Sequence, residues 1–139
     1  MSSTTRPLVL QRTLPSTLAA YHDLVQEVLT TLQGLGWTDH DLFGVHMALE
    51  ESISNAVRHG NKEDPDKCVY VECQMSEKRF FAKIRDEGQG YEPGEVPDCC
   101  CEENLERPGG RGLKLIEHYM NKVDHSDKGR CLEMEKLLE

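Results

Sequence analysis

Glu51, Asn55 and His59 recur at four-residue spacing within the run Glu50 to Asn61, EESISNAVRHGN. On a helix such a row lies along one side. A carboxylate can take a proton, and an amide oxygen one turn later can ligate a metal ion. The pattern therefore suits a site that holds a cation and orients a reacting hydroxyl. His59 could contact phosphate there or cap the end of the helix.

Two further motifs lie downstream. Arg85-Asp86-Glu87-Gly88-Gln89-Gly90 ends a run in which Phe80, Ala82, Ile84 and Asp86 share one face by two-residue alternation. Three apolar members make that the buried face and put Asp86 at the edge of the core. A carboxylate there needs hydrogen-bond donors, and the exocyclic amine of a purine is one. Gly88 and Gly90 let the chain turn and let a flat ring approach the backbone, although the same residues would also suit an ordinary strand-end turn. In Arg107-Pro108-Gly109-Gly110-Arg111-Gly112-Leu113 a glycine-rich turn opens a helix. Its unpaired N–H groups and positive dipole end suit phosphate oxygens, and Arg107 and Arg111 add charged donors. A plain turn remains the alternative here too. The chain has no Gly-x-x-x-x-Gly-Lys-Ser/Thr loop and no strict Gly-x-Gly-x-x-Gly after a strand.

The elements that must position these residues follow from periodicity. Leu42, Val45, Leu49, Ile53 and Ala56 form an apolar stripe at about 100° per residue, so a helix from near Asp41 to His59-Gly60 carries Glu51 and Asn55 on roughly its other side. Thr38-Asp39 caps it. Before it, Leu8 to Leu14 reads as a strand, and Leu18, Tyr21, Val25, Leu29 and Leu32 mark a helix over 18–35 with Ser16 as its N-cap. Asn61 to Pro65 reads as a polar turn. Lys67 to Met75 and Arg79 to Asp86 form a hairpin around Ser76-Glu77-Lys78. The stretch from Glu87 to Gly110 exceeds a mere connection. A helix over about 112–121 and two strands, Lys122 to Ser126 and Cys131 to Lys136, complete the order.

The length of 139 residues suits a single domain over 1–139. The 37% hydrophobic and 29% charged residues are ordinary for a globular protein. No apolar run approaches the roughly 20 residues that span a bilayer, and the first residues lack a signal-peptide core, which predicts a cytoplasmic location without membrane contact. The net charge of −9 works against direct nucleic-acid binding. The 6 cysteines include the consecutive Cys99, Cys100 and Cys101. No Cys-x-x-Cys pair occurs, so free thiols are expected, with a redox or metal role for the triple as the minor alternative.

In their order and spacing, the three motifs resemble the Bergerat-fold (GHKL, histidine-kinase-like) ATPases. The short chain and the first box, Glu51, Asn55, Ala56, His59 and Gly60, narrow the likeness to the serine-kinase anti-sigma factors of bacterial partner-switching systems. The likeness runs from about Leu8 to Glu139. It implies a two-layer α/β (α+β) sandwich, with helices on one face of a mixed, mostly antiparallel sheet. It also implies ATP and Mg²⁺ as cofactors. By matching positions, Glu51 is the general base toward a Ser or Thr hydroxyl and Asn55 the Mg²⁺ ligand. Asp86 accepts from the adenine amine, above a turn formed by Gly88 and Gly90. Residues 91–109 form a lid, and Gly110 and Gly112 line the phosphates beside Leu113. The last glycine box is one residue longer than is common in the subfamily, which leaves Arg111 as either a phosphate contact or an exposed side chain. The implied function is a protein serine/threonine kinase that phosphorylates an antagonist protein and sequesters a sigma factor, in a fold that also permits a homodimer. The alternative is an ATP-gated binding module of the same fold without transfer.

Overall fold

The computed structural model describes residues 7–17, 20–62, 64–88, 113–126 and 130–138. Along the chain they form β1 (Leu8–Pro15), α1 (Tyr21–Gly34), α2 (Asp39–Asn55), a π-helical turn (Ala56–Gly60), β2 (Cys68–Met75), β3 (Arg79–Arg85), α3 (Leu113–Tyr119), β4 (Lys122–Ser126) and β5 (Cys131–Leu137). The strands make one sheet in the order β1-β2-β3-β5-β4. Each of its pairings is antiparallel, including the two hairpins, so no parallel pair occurs among the described strands of a sheet expected to be mixed.

Two-residue alternation decides which face is buried. In β2, Val69, Val71, Cys73 and Met75 are buried, and in β3 Phe80, Ala82 and Ile84 are buried, while their neighbours are half-buried or exposed. The helices cover that face. Leu24, Val25, Val28 and Leu32 of α1 join Val45, Ala48, Leu49 and Ile53 of α2 in one apolar core with the sheet. Each fully buried aliphatic side chain stabilises by about 1.5–3 kcal/mol. An exposed pair such as Arg12–Glu27, 2.7 Å apart, contributes about 0–1 kcal/mol. The core, not the surface ion pairs, holds the layers together.

Helix ends follow local chemistry. Gly36, at φ 97°, ends α1 in a Schellman arrangement: Trp37 N–H donates to Leu32 O at 3.1 Å and Gly36 N–H to Gln33 O at 3.0 Å. Thr38 caps α2, its hydroxyl accepting from Asp41 N–H at 3.3 Å, as its sequence position predicts. Ser16 does not cap α1, which starts at Tyr21. It is only 2% exposed, and its hydroxyl is taken by tertiary partners: it donates to Lys67 O at 2.7 Å and accepts from Asn61 Nδ2 at 2.8 Å. No helix among the described residues is long and apolar enough to cross a membrane.

Candidate nucleotide site

Glu51 and Asn55 sit one turn apart near the end of α2, both half-buried, while Val45, Leu49 and Ile53 carry the apolar stripe into the core. Neither side chain makes a hydrogen bond or ion pair with another described residue, so the carboxylate and the amide keep their lone pairs for other partners. Among the described residues no group of three or more His, Cys, Asp or Glu side chains could hold a metal ion. A cation at Asn55 would therefore need most of its ligands from elsewhere, which is the usual state of Mg²⁺ on phosphates.

Past Asn55 the helix widens. Asn61 N–H donates to Ala56 O at 2.8 Å, a five-residue closure that defines the π turn. The expected row of Glu51, Asn55 and His59 assumed α geometry throughout. His59 lies instead within the widened turn, and its side chain is outside the described residues.

The widened turn brings Gly60 against the end of β3. A Cβ on Gly60 would lie 2.4 Å from Asp86 Cγ, and a Cβ on Gly88 would lie 2.0 Å from Gly60 O. A side chain at Gly88 would therefore displace backbone, and one at Gly60 would displace the Asp86 carboxylate. The first and second motifs, far apart in sequence, meet here. Asp86 is 8% exposed. Its Oδ1 accepts from Gly88 N–H at 2.8 Å, and its Oδ2 has no donor among the described residues. Burial raises its carboxyl above the usual range, against the lowering effects of the Gly88 N–H and the positive charges of Arg130, Arg85 and Lys67. A buried carboxylate with a spare oxygen has the acceptor that a flat ring bearing an N–H donor would need. The residues present thus fit an adenine, and the Asn55 amide fits a phosphate-bound Mg²⁺.

The Asp86 turn has further supports. Glu87 N–H donates to Asn61 Oδ1 at 2.7 Å. The Glu87 carboxylate accepts from Cys68 N–H at 2.6 Å and from Tyr70 Oη–H at 3.0 Å. Sequence reasoning missed Asn61, Ser16 and Glu87, because each looks like a turn or cap residue and only the tertiary fold supplies its partners. The turn-like string Asn61 to Pro65 carried no signal of burial.

Gly90, Arg107, Gly110, Arg111, Gly112, the expected lid over 91–109 and Cys99 to Cys101 lie outside the described residues. So does the side chain of Leu113, which opens α3. Helix α3 packs on α2, where a Cβ on Gly44 would touch Tyr119 Cδ1 at 3.1 Å. Cys68, Cys73 and Cys131 are free thiols. Burial pushes the Cys73 thiol up to about 12, which leaves it protonated and unreactive near neutral pH.

A family profile described as a histidine kinase-like ATPase domain matches residues 14–136. The chain is similar to the anti-sigma F factor of Oceanobacillus iheyensis, with 30% identity over 107 residues, 73% of this chain and 73% of that protein. It is also 30% identical over 105 residues to the anti-sigma F factor of Heyndrickxia coagulans, covering 70% and 71%. A Clostridium perfringens protein of the same name is 30% identical over 105 residues, covering 71% and 74%. The crystal structure of the RsbU and RsbW domains of Rv1364c from Mycobacterium tuberculosis shares the fold, with a TM-score of 0.57 at 17% identity. That likeness covers 95% of this chain, which spans only 32% of the Mycobacterium tuberculosis chain.

Proposed function

Since the chain belongs to the histidine kinase-like ATPase domain family, we propose that it is an ATP-binding protein serine/threonine kinase of the anti-sigma-factor type. The observation that carries the nucleotide part is Asp86: a buried carboxylate with one oxygen satisfied by Gly88 and the other facing no described donor. It accepts from the adenine amine, above the turn that Gly88 and Gly90 form in the family likeness. Gly110, Gly112 and Leu113 with Arg107 and Arg111 receive the phosphates, as the family likeness implies. His59 lies next to this region.

Bound Mg²⁺·ATP supplies the phosphoryl group and the neutralising charge. The protein's own share is positioning, which is most of what phosphoryl transfer requires. Asn55 offers the metal its amide oxygen. Glu51, one turn away, takes the proton of a serine or threonine hydroxyl of an antagonist protein as that oxygen bonds to the γ-phosphorus. The bond to the β-phosphate oxygen breaks and ADP leaves. The partial exposure of Glu51 and its lack of a hydrogen-bond partner among the described residues support this role, since a base acting on a macromolecular substrate must be reachable. The similar proteins are named anti-sigma F factors, which supports a sigma factor as the second partner and transcriptional control by partner switching. A cytoplasmic location is part of the same proposal.

Calorimetric titration of the purified chain with ATP, with and without Mg²⁺, tests the reading. Mg²⁺-dependent binding is expected, followed by transfer of label from [γ-³²P]ATP to a serine of the antagonist. No binding at millimolar ATP would leave a protein-interaction domain that kept only the fold.

A further inference from the structure

Asn61 is 1% exposed and stands between three segments distant in sequence. Its Nδ2 donates to Ser16 Oγ at 2.8 Å, just past β1, and to Cys68 O at 2.9 Å, at the start of β2. Its Oδ1 accepts from Glu87 N–H at 2.7 Å, in the turn after β3. Its own N–H closes the π turn on Ala56 O at 2.8 Å. Both amide hydrogens and the amide oxygen are thus used, which matches the full donor inventory of an asparagine.

This network fixes the direction of the amide. Turned over, the group would set its NH₂ against Glu87 N–H and its oxygen against the Cys68 carbonyl, and both contacts would be repulsive. Aspartate could supply the oxygen but not the donors. Glutamine would add a methylene to a site that is closed to solvent, at a packing cost.

The bond to Glu87 N–H acts on Asp86. It holds the peptide between Asp86 and Glu87, on the C-terminal side of the Asp86 Cα. On the N-terminal side, Asp86 N–H donates to Arg130 O at 2.9 Å. The backbone of Asp86 is therefore bracketed on both sides, and with that backbone held the Gly88 N–H bond to Oδ1 at 2.8 Å orients the carboxylate. Asn61 also follows Gly60 directly, whose Cα faces that carboxylate.

We propose that Asn61 is the positioning residue of the adenine pocket: it aims the Asp86 carboxylate at the 6-amino group and ties that aim to the ends of β1 and β2. The inference rests on the assignment of Asp86 to the adenine amine. A merely structural Asn61 would support all nucleotides alike, whereas a positioning Asn61 matters only to a ligand that uses the Asp86 bond.

Calorimetry with ATP and with purine riboside triphosphate, which carries hydrogen in place of the 6-amino group, separates the two. Unmutated protein is expected to prefer ATP by about tenfold or more, the worth of a hydrogen bond to a charged group. In Asn61→Ala the preference is expected to fall to within about threefold, while affinity for the purine analogue changes less than about twofold. An equal loss for both nucleotides, or an unchanged preference, overturns the inference. Should Asn61→Ala fail to fold, Ser16→Ala carries the test. It removes one anchor of the amide and is expected to lower the preference by about threefold; an unchanged preference there overturns the inference equally. Absence of any ATP preference in the unmutated protein overturns the adenine assignment itself, and is distinguished by appearing before any substitution.

Discussion

Asp86 and Glu51 are two carboxylates of one candidate site, held in opposite ways. Asp86 is 8% exposed, bonded to Gly88 N–H, and set on a turn that Asn61 and Glu87 clasp to β2. Glu51 is half-buried on the face of α2 and its carboxylate has no hydrogen-bond partner among the described residues. The first arrangement meets the cost of desolvating a carboxylate before any ligand arrives, which is what preorganised recognition requires. The second leaves a carboxylate unpartnered among the described residues, as the proposed base toward a hydroxyl of another protein would need. On the proposed function, the clasped carboxylate meets the small ring and the unpartnered one meets the docking protein.

The strongest way to separate the two ends is Glu51→Gln. Phosphoryl transfer is expected to fall by about 100-fold or more, the usual worth of a general base, while ATP affinity stays within about twofold. Transfer to the antagonist from labelled ATP, beside calorimetry, reads both quantities. A parallel fall in both would mean that the ends are not independent. No fall in either would remove the base assignment and favour the ATP-gated binding module.

Asp86→Asn addresses the other end. The amide oxygen can still accept from Gly88 N–H, but the NH₂ then faces the adenine amine, donor against donor. ATP affinity is expected to drop by about tenfold or more, while transfer at saturating ATP is largely kept. An affinity equal to that of the unmutated protein would refute the purine site.

A smaller effect tests how closely the two motifs are fitted. Gly60→Ala places a methyl 2.4 Å from Asp86 Cγ, so the Asp86 carboxylate must give way at a cost of about 1–3 kcal/mol. Gly34→Ala, with nothing within 4 Å of the new Cβ, is the matched control and should stabilise α1 by about 0.5–1 kcal/mol. Denaturant midpoints of both variants read the difference. Equal effects would mean that the contact between the π turn and Asp86 is loose.

The strands and the α2 stripe were legible because alternation and helical period are properties of neighbouring residues. Strand β3 runs Arg79–Arg85 where Phe80, Ala82 and Ile84 alternate, and Asp86 falls at its buried end as that alternation predicts. The π turn was not legible. Ala56 to Gly60 continues a plain helical pattern, while the wider closure coincides with tertiary contacts of Asn61 and with the approach of Gly88 to Gly60 O. Ser16 and Asn61 are short polar residues beside turns, so local reasoning assigns them to caps and turns. Their burial depends on β1, β2 and the Asp86 turn meeting in space, and no local window contains that meeting.

The last contrast lies in pH. Burial raises the Asp86 carboxyl above its ordinary range. In the ligand-free protein the folded pKa then exceeds the unfolded one. The corresponding stability is fully present below the unfolded pKa and is lost as pH rises through the folded pKa. Adenine recognition runs the other way, because the ionised carboxylate is the better acceptor for the amine. Across the window just above ordinary carboxylate values, rising pH should lower the contribution of Asp86 to the stability of the free protein and raise its ATP affinity. Thermal melts with and without ATP, over a pH series, should show the ATP-induced shift growing with pH. Titration of the nucleotide itself is common to Asp86→Asn and cancels in the comparison. The Asp86→Asn protein should lack this growth, and Glu51→Gln should retain it. If Asp86→Asn kept the full slope, the carboxylate sensed by ATP would have to be a different one.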